Sequence, residues 1–104
     1  MCTNRKLIGG LLRGDFGFTG IVATDCGALR DATQHHHRCA TDAATATAAI
    51  RAGVDSNCGS VFPTALPSSL LCMNASACLN ASELDVSVSR LLTARFRCAS
   101  HSAL

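Results

Sequence analysis

The sequence contains no tryptophan, no tyrosine and only four phenylalanines. With so few bulky anchors, and with alanine supplying much of the 48% apolar content, a core built from this chain buries only a modest area. Lysine is almost missing as well: Lys6 stands alone beside scattered arginines, and Glu83 is the only glutamate. The formal net charge of +2, with no basic run and no interleaved aromatics, excludes the electrostatic footprint of a nucleic-acid partner. No apolar run approaches the ~20 residues that span a bilayer, so no membrane partner is expected. The segment Leu7 to Leu12 is interrupted at once by Arg13-Gly14-Asp15, too short for a signal peptide's apolar region. The 104 residues make one small domain at most.

Cysteine is the exception to this scarcity. Seven occur, at positions 2, 26, 39, 58, 72, 78 and 98, with no CxxC pair and no repeated spacing. Zinc sites show close ligand pairs, so no metal is expected. Disulfides in an exported protein fit better, with the odd count leaving at least one thiol over. Two Asn-x-Ser sequons, at Asn74 and Asn80, are in keeping with export. His35-His36-His37 could suggest a metal site, yet three consecutive residues do not readily aim three imidazoles at one ion. They read as a solvated loop, and no cofactor is expected.

Along the chain, Lys6 to Arg13 carries apolar residues at helical spacing, weakened by Gly9-Gly10. Ile21-Val22-Ala23-Thr24 is a short β-branched run bounded by glycine, which predicts a buried strand. Asp25-Cys26-Gly27 follows at its C-terminal end, and Arg30 to Arg38 reads as a polar loop. Thr41 to Ala52 predicts an alanine-rich helix closed by Gly53. Val54-Asp55-Ser56-Asn57-Cys58-Gly59 reads as a second, very short strand followed by a loop, and Pro63 to Leu71 as the start of a further helix. The last helix is the clearest: Ser82-Glu83-Leu84-Asp85 fits a serine-plus-acid cap, and Leu84, Val88, Leu91 and Leu92 form one stripe. Strands alternating with helices point to parallel βα units.

Three stretches, Leu11 to Asp25, Ala52 to Asp55 and Leu84 to Leu92, together resemble glycoside hydrolase family 3. Leu11-Leu12-Arg13-Gly14-Asp15-Phe16-Gly17-Phe18-Thr19-Gly20-Ile21-Val22-Ala23-Thr24-Asp25 resembles the family's "LRG…GF-x-G…S/T-D" pattern. Ala52-Gly53-Val54-Asp55 resembles its "AGxD", and Leu84-Asp85-Val86-Ser87-Val88-Ser89-Arg90-Leu91-Leu92 its "lD-x-a/s-V-x-R-LL". The resemblance covers about Asn4 to Arg97. It implies an α/β fold: part of a (β/α)8-type barrel, about its last two βα units plus a C-terminal helix. Residues 1–97 would be that partial catalytic domain and 98–104 a divergent tail. A whole barrel needs ~250 residues, so further barrel strands and an acid/base domain are expected in a full-length protein.

The resemblance implies a retaining exo-β-glycosidase acting on oligosaccharides, with Asp25 at the nucleophile position. From spacing alone Asp25 reads as a turn or cap residue after a strand; the flanking motifs turn the reading to the nucleophile position. Glu83 looks like a first-turn helix residue, and Asp55 looks structural. The readings Asp25-Cys26-Gly27-Ala28 and Asn57-Cys58-Gly59 resemble the β-xylosidase branch. A bridge between Cys26 and Cys58 would narrow the sugar pocket and favour a pentose, so xylo- or arabino-oligosaccharides are the implied substrates; two buried free thiols are the other reading. The family resemblance also implies an extracellular or secretory location. With no second catalytic carboxyl in view, the chain alone is expected to be inactive. The competing reading is a non-catalytic remnant or interaction module, which the sequence leaves open.

Overall fold

In the computed structural model, residues 1–72 and 78–102 are described, with side chains through Ala99. The Asn74 sequon and the last two residues of the 98–104 tail lie outside them. Among the described residues five helices make up the fold. A π-helix spans Lys6–Asp15, followed by α1 (Ala28–Gln34), α2 (Asp42–Ala52), α3 (Val61–Leu71) and α4 (Ala81–Ser102).

The helix α2 is the centre of the fold, and the π-helix, α1, α3 and α4 all pack on it. Its alanines make that possible, because short side chains let several neighbours approach one axis closely. Ala46, Ala49 and Ala52 are fully buried, beside Thr45 and Ile50. Around them gather Ile8 from the π-helix, Leu29 from α1, Val54, Val61, Phe62 and Ala65, and Leu79 just before α4. Thr41 caps α2 by accepting a hydrogen bond from the Ala44 amide. Gly53 ends it at φ 110°, donating to the carbonyls of Ala49 and Ile50. A Cβ at Gly53 would lie 2.9 Å from Arg13 Nε and 3.0 Å from Ile8 Cγ2. Glycine there serves both the left-handed turn and the close approach of the π-helix.

The two expected strands are not formed. Among the described residues the β-structure is one isolated parallel bridge, Ala23 with Ser56. The segments do run side by side: Asp55 and Ser56 amides donate to the Val22 carbonyl at 2.8 and 3.2 Å, and Thr24 N donates to Ser56 O at 3.0 Å. Two short segments with no further neighbour give this pairing little to propagate into. The structure is therefore mostly helical where alternating strands and helices were expected.

Three local readings also need correction. The stretch expected as a polar loop from Arg30 begins inside α1, which buries Leu29 completely. The cap of α4 is built by Asn80, not Ser82. Asn80 Oδ1 accepts from the Glu83 amide at 2.9 Å, and Glu83 Oε2 accepts from the Asn80 amide at 2.9 Å. The buried stripe of α4 is shifted as well: Leu84 packs on the core and Ser87 is buried, whereas Val88 and Leu92 are exposed. Ser87 donates to the Val54 carbonyl at 3.3 Å, so a small polar residue sets the closest approach of this helix. No helix of the described residues is long and apolar enough to cross a membrane.

Candidate functional site

The paired segments 22–24 and 54–58 hold the residues of interest, and one buried carboxylate aligns them. Asp55 has a fully buried side chain. Its Oδ2 accepts from Arg13 at 2.6 Å and from the Val22 amide at 3.0 Å, and its Oδ1 accepts from Arg90 at 2.9 Å. Arg13 goes further, donating to the carbonyls of Gly53 at 2.7 Å and Gly20 at 2.9 Å. Burial pulls the Arg13 guanidinium below its ordinary pKa, and the Asp55 carboxylate opposes that shift. Each of the three resembling motifs contributes one member: Arg13 from the first, Asp55 from the second, Arg90 from the third. Asp55 is thus a structural hub, as its place in the sequence implied. The network around it was not foreseen, although two arginines and one aspartate in three motifs were the available signal.

A second polar clamp lies one step along. Thr24 is buried, and its Oγ1 accepts from Asn57 Nδ2 at 3.1 Å and from the Cys58 amide at 3.2 Å. Asn57 Oδ1 in turn accepts from the Phe62 amide at 3.2 Å, tying the loop to the start of α3. Neither Thr24 nor Asn57 was singled out from sequence.

Asp25 follows Thr24 directly and is exposed. The Cys26 amide donates to Asp25 Oδ1 at 2.8 Å, and among the described residues the carboxylate is in no ion pair. It opens on a cavity of about 850 Å³ that is also lined by Leu7, Ile8, Asp31, His36 and Arg38. Cys26 and Cys58 are joined by a disulfide with Cα atoms 4.4 Å apart. The Gly27 amide donates to the Cys58 carbonyl at 2.9 Å, and Gly27 takes φ 80° to turn the chain into α1. Cys26 and Cys58 are both exposed, so the alternative of two buried thiols is set aside. A second disulfide joins Cys72 and Cys78.

Other residues weighed from sequence lie apart from Asp25. Glu83 is paired with Arg51 at 2.8 Å, beside a separate cavity that Arg5, Lys6 and Arg90 also line. The three histidines diverge: His35 lies 3.8 Å from Asp31, and His36 lines the Asp25 cavity. No group of three or more potential metal ligands comes together among the described residues.

No protein-family profile matches the chain. Among curated proteins, a probable exo-1,4-β-xylosidase (bxlB) of Aspergillus flavus is 46% identical over 72 residues, covering 66% of this chain and 9% of its own. A xylan 1,4-β-xylosidase of Xylanibacter ruminicola is 34% identical over 97 residues, covering 91% of this chain and 11% of its own. Among solved structures, a β-glucosidase from Listeria innocua superposes with a TM-score of 0.76 at 25% identity, over 88% of this chain and 12% of that one. A family 3 exo-β-xylosidase, XlnD, in complex with a xylobiose aziridine probe gives a TM-score of 0.67 at 29% identity, over 86% and 11%. The chain spans about a tenth of the length of the curated relatives it matches. Sequence relatives and structural neighbours converge, and the chain belongs with glycoside hydrolase family 3, its homologues being exo-β-xylosidases.

Proposed function

We propose that this chain is the nucleophile-bearing part of a retaining exo-β-xylosidase, within a partial (β/α)8-type barrel. The observation that carries the reading is the setting of Asp25. Its carboxylate is exposed at the end of the paired segment, on the rim of an open cavity, and rests on a loop fixed by the Cys26–Cys58 disulfide. In this reading Asp25 attacks the anomeric carbon of a xylo- or arabino-oligosaccharide, displaces the protonated leaving-group oxygen and forms a glycosyl ester. Water then attacks the same carbon and releases the carboxylate. The Cys26 amide, at 2.8 Å from Oδ1, holds the carboxylate in position. Neither Cys26 nor Cys58 lines the cavity at Asp25 among the described residues; in this reading their disulfide narrows the sugar pocket of the completed barrel and favours a pentose over a hexose.

Retention needs a second carboxyl about 5 Å from the first. Glu83 is committed to Arg51 and Asp55 to Arg13 and Arg90, so neither fills that role. The acid/base and the remaining barrel are supplied in this reading by other parts of an exported protein, in keeping with the two disulfides. The non-catalytic alternative is separated by one experiment. The purified chain should not hydrolyse p-nitrophenyl β-xyloside above an Asp25→Ala control. A chimera carrying residues 4–97 in place of the matching stretch of a family 3 β-xylosidase should hydrolyse it, and lose on the order of 10³-fold or more with Asp25→Ala. A folded chimera whose activity survives that substitution sinks the assignment of Asp25.

A further inference from the structure

We propose that Asn80 is an N-glycosylation site, accepting an oligosaccharyl group from a lipid-linked diphosphate donor. Asn80-Ala81-Ser82 is a sequon with no proline at its centre, and all three residues are exposed. The side chain divides its two ends between two tasks. Oδ1 accepts from the Glu83 amide at 2.9 Å and from Ser82 Oγ at 2.7 Å, closing the first turn of α4. Nδ2, the atom that would be modified, makes no hydrogen bond among the described residues. In the transfer, Nδ2 attacks the sugar's C1, the N–C1 bond forms and the C1–O bond to the diphosphate breaks. The lipid diphosphate leaves with the electron pair, and one Nδ2 proton passes to the transferase's base. The product is still an amide with Oδ1 intact, so the cap of α4 survives the modification.

Two further observations bear on the site. The chain carries two disulfides, and disulfides form and persist in the oxidising compartment that sequons must enter to be read. Asn80 lines neither cavity, so a bulky glycan leaves the Asp25 opening clear. A purely capping role is the competing account, and it makes a different demand. Aspartate caps a helix as well as asparagine does, whereas glycosylation requires asparagine and the hydroxyl two residues on.

The test is to secrete the full chain from yeast behind an appended leader and remove glycans enzymatically in heavy-oxygen water, which marks each former glycan-bearing asparagine. Peptides from Asn80 and from the Asn74 sequon are then mapped separately. Heavy label at position 80 in most molecules, its loss in Ser82→Ala, and an unchanged urea midpoint in unglycosylated Asn80→Asp are expected. Unmodified Asn80 in chain that has formed the Cys26–Cys58 disulfide overturns the proposal, as does label confined to Asn74. Neither result depends on whether Asp25 is a nucleophile.

Discussion

Replacing Asp55 by alanine should be the most damaging single change to the paired segments that carry Asp25. The carboxylate is fully buried and answers three donors: Arg13, Arg90 and the Val22 amide. Removing one partner of a buried ion pair costs about 3–5 kcal/mol, because a charge is left desolvated without compensation. The lower end applies here. Arg13, with a side chain 10% exposed, keeps its bonds to Gly53 and Gly20, and Arg90, 25% exposed, can turn to water. A loss of about 3 kcal/mol is large against the ~5 kcal/mol at the low end of domain stabilities, where a chain with this small a core belongs. With a urea m-value of roughly 1–1.5 kcal/mol/M for so short a chain, the midpoint should fall by about 2–3 M. Arg13→Ala should cost nearly as much and Arg90→Ala about 1 kcal/mol. Far-UV circular dichroism against urea gives these midpoints, and amide exchange adds a local readout. The Val22 N–H, bonded to Asp55 Oδ2 at 3.0 Å, should lose protection in Asp55→Ala before the α2 amides do. A variant with the wild-type midpoint and an unchanged Val22 exchange rate would refute the claim that Asp55 aligns the two segments.

Two other outcomes follow from the same geometry. The Cys26–Cys58 disulfide closes a loop of sequence separation 32, so chain entropy in the unfolded state makes it worth about 3–4 kcal/mol. The double variant Cys26→Ser/Cys58→Ser should show that loss in urea unfolding, and an unchanged midpoint would mean the loop is held by Thr24 and Asn57 alone. Glu83 is held below its ordinary value of 4.5 by the hydrogen bond from Arg51 first and the Asn80 amide second. A carboxyl depressed on folding contributes fully above its unfolded value and stops contributing as pH falls through its folded value. Stability should therefore drop below about pH 4.5, and Glu83→Gln should flatten that part of the profile; an equally steep acid limb in the variant would assign it to other groups.

The helices were legible where a local signal decides them. Thr41 and Gly53 bracket α2 as cap residues do anywhere, and no tertiary contact is needed to see it. The strands were not legible in the same sense. Ile21 to Thr24 has the composition of a buried strand, yet Ile21 is 36% exposed and the pairing stops at one bridge, because strand formation depends on neighbours that composition does not supply. The face of α4 was misplaced for a related reason. Periodicity ranks Val88 above Ser87, but Ser87 can both approach Val54 closely and satisfy its carbonyl. Asn80 outcompeted Ser82 as the cap because Glu83, three residues on, returns the bond to its backbone amide. Of the candidate site, the position of Asp25 and the pairing of its two cysteines were read from resemblance. The Thr24–Asn57 clamp was not read: both residues stood inside quoted motifs, but neither residue type says which group it will bond.

The convergence of the three motifs on Asp55 changes what the resemblance is evidence for. Arg13, Asp55 and Arg90 touch one another's charges and none of them lines the cavity at Asp25. The second motif also sends Val54 to that cavity, while the first supplies both Arg13 to the frame and Asp25 to the cavity. A chain obliged only to fold would keep Arg13, Asp55 and Arg90, for the desolvation reason that makes Asp55→Ala costly. That reason does not extend to Asp25, whose exposed side chain accepts only from the Cys26 amide among the described residues. That is the physical ground for placing the catalytic reading on Asp25, and for testing it by activity in a completed site instead of by stability.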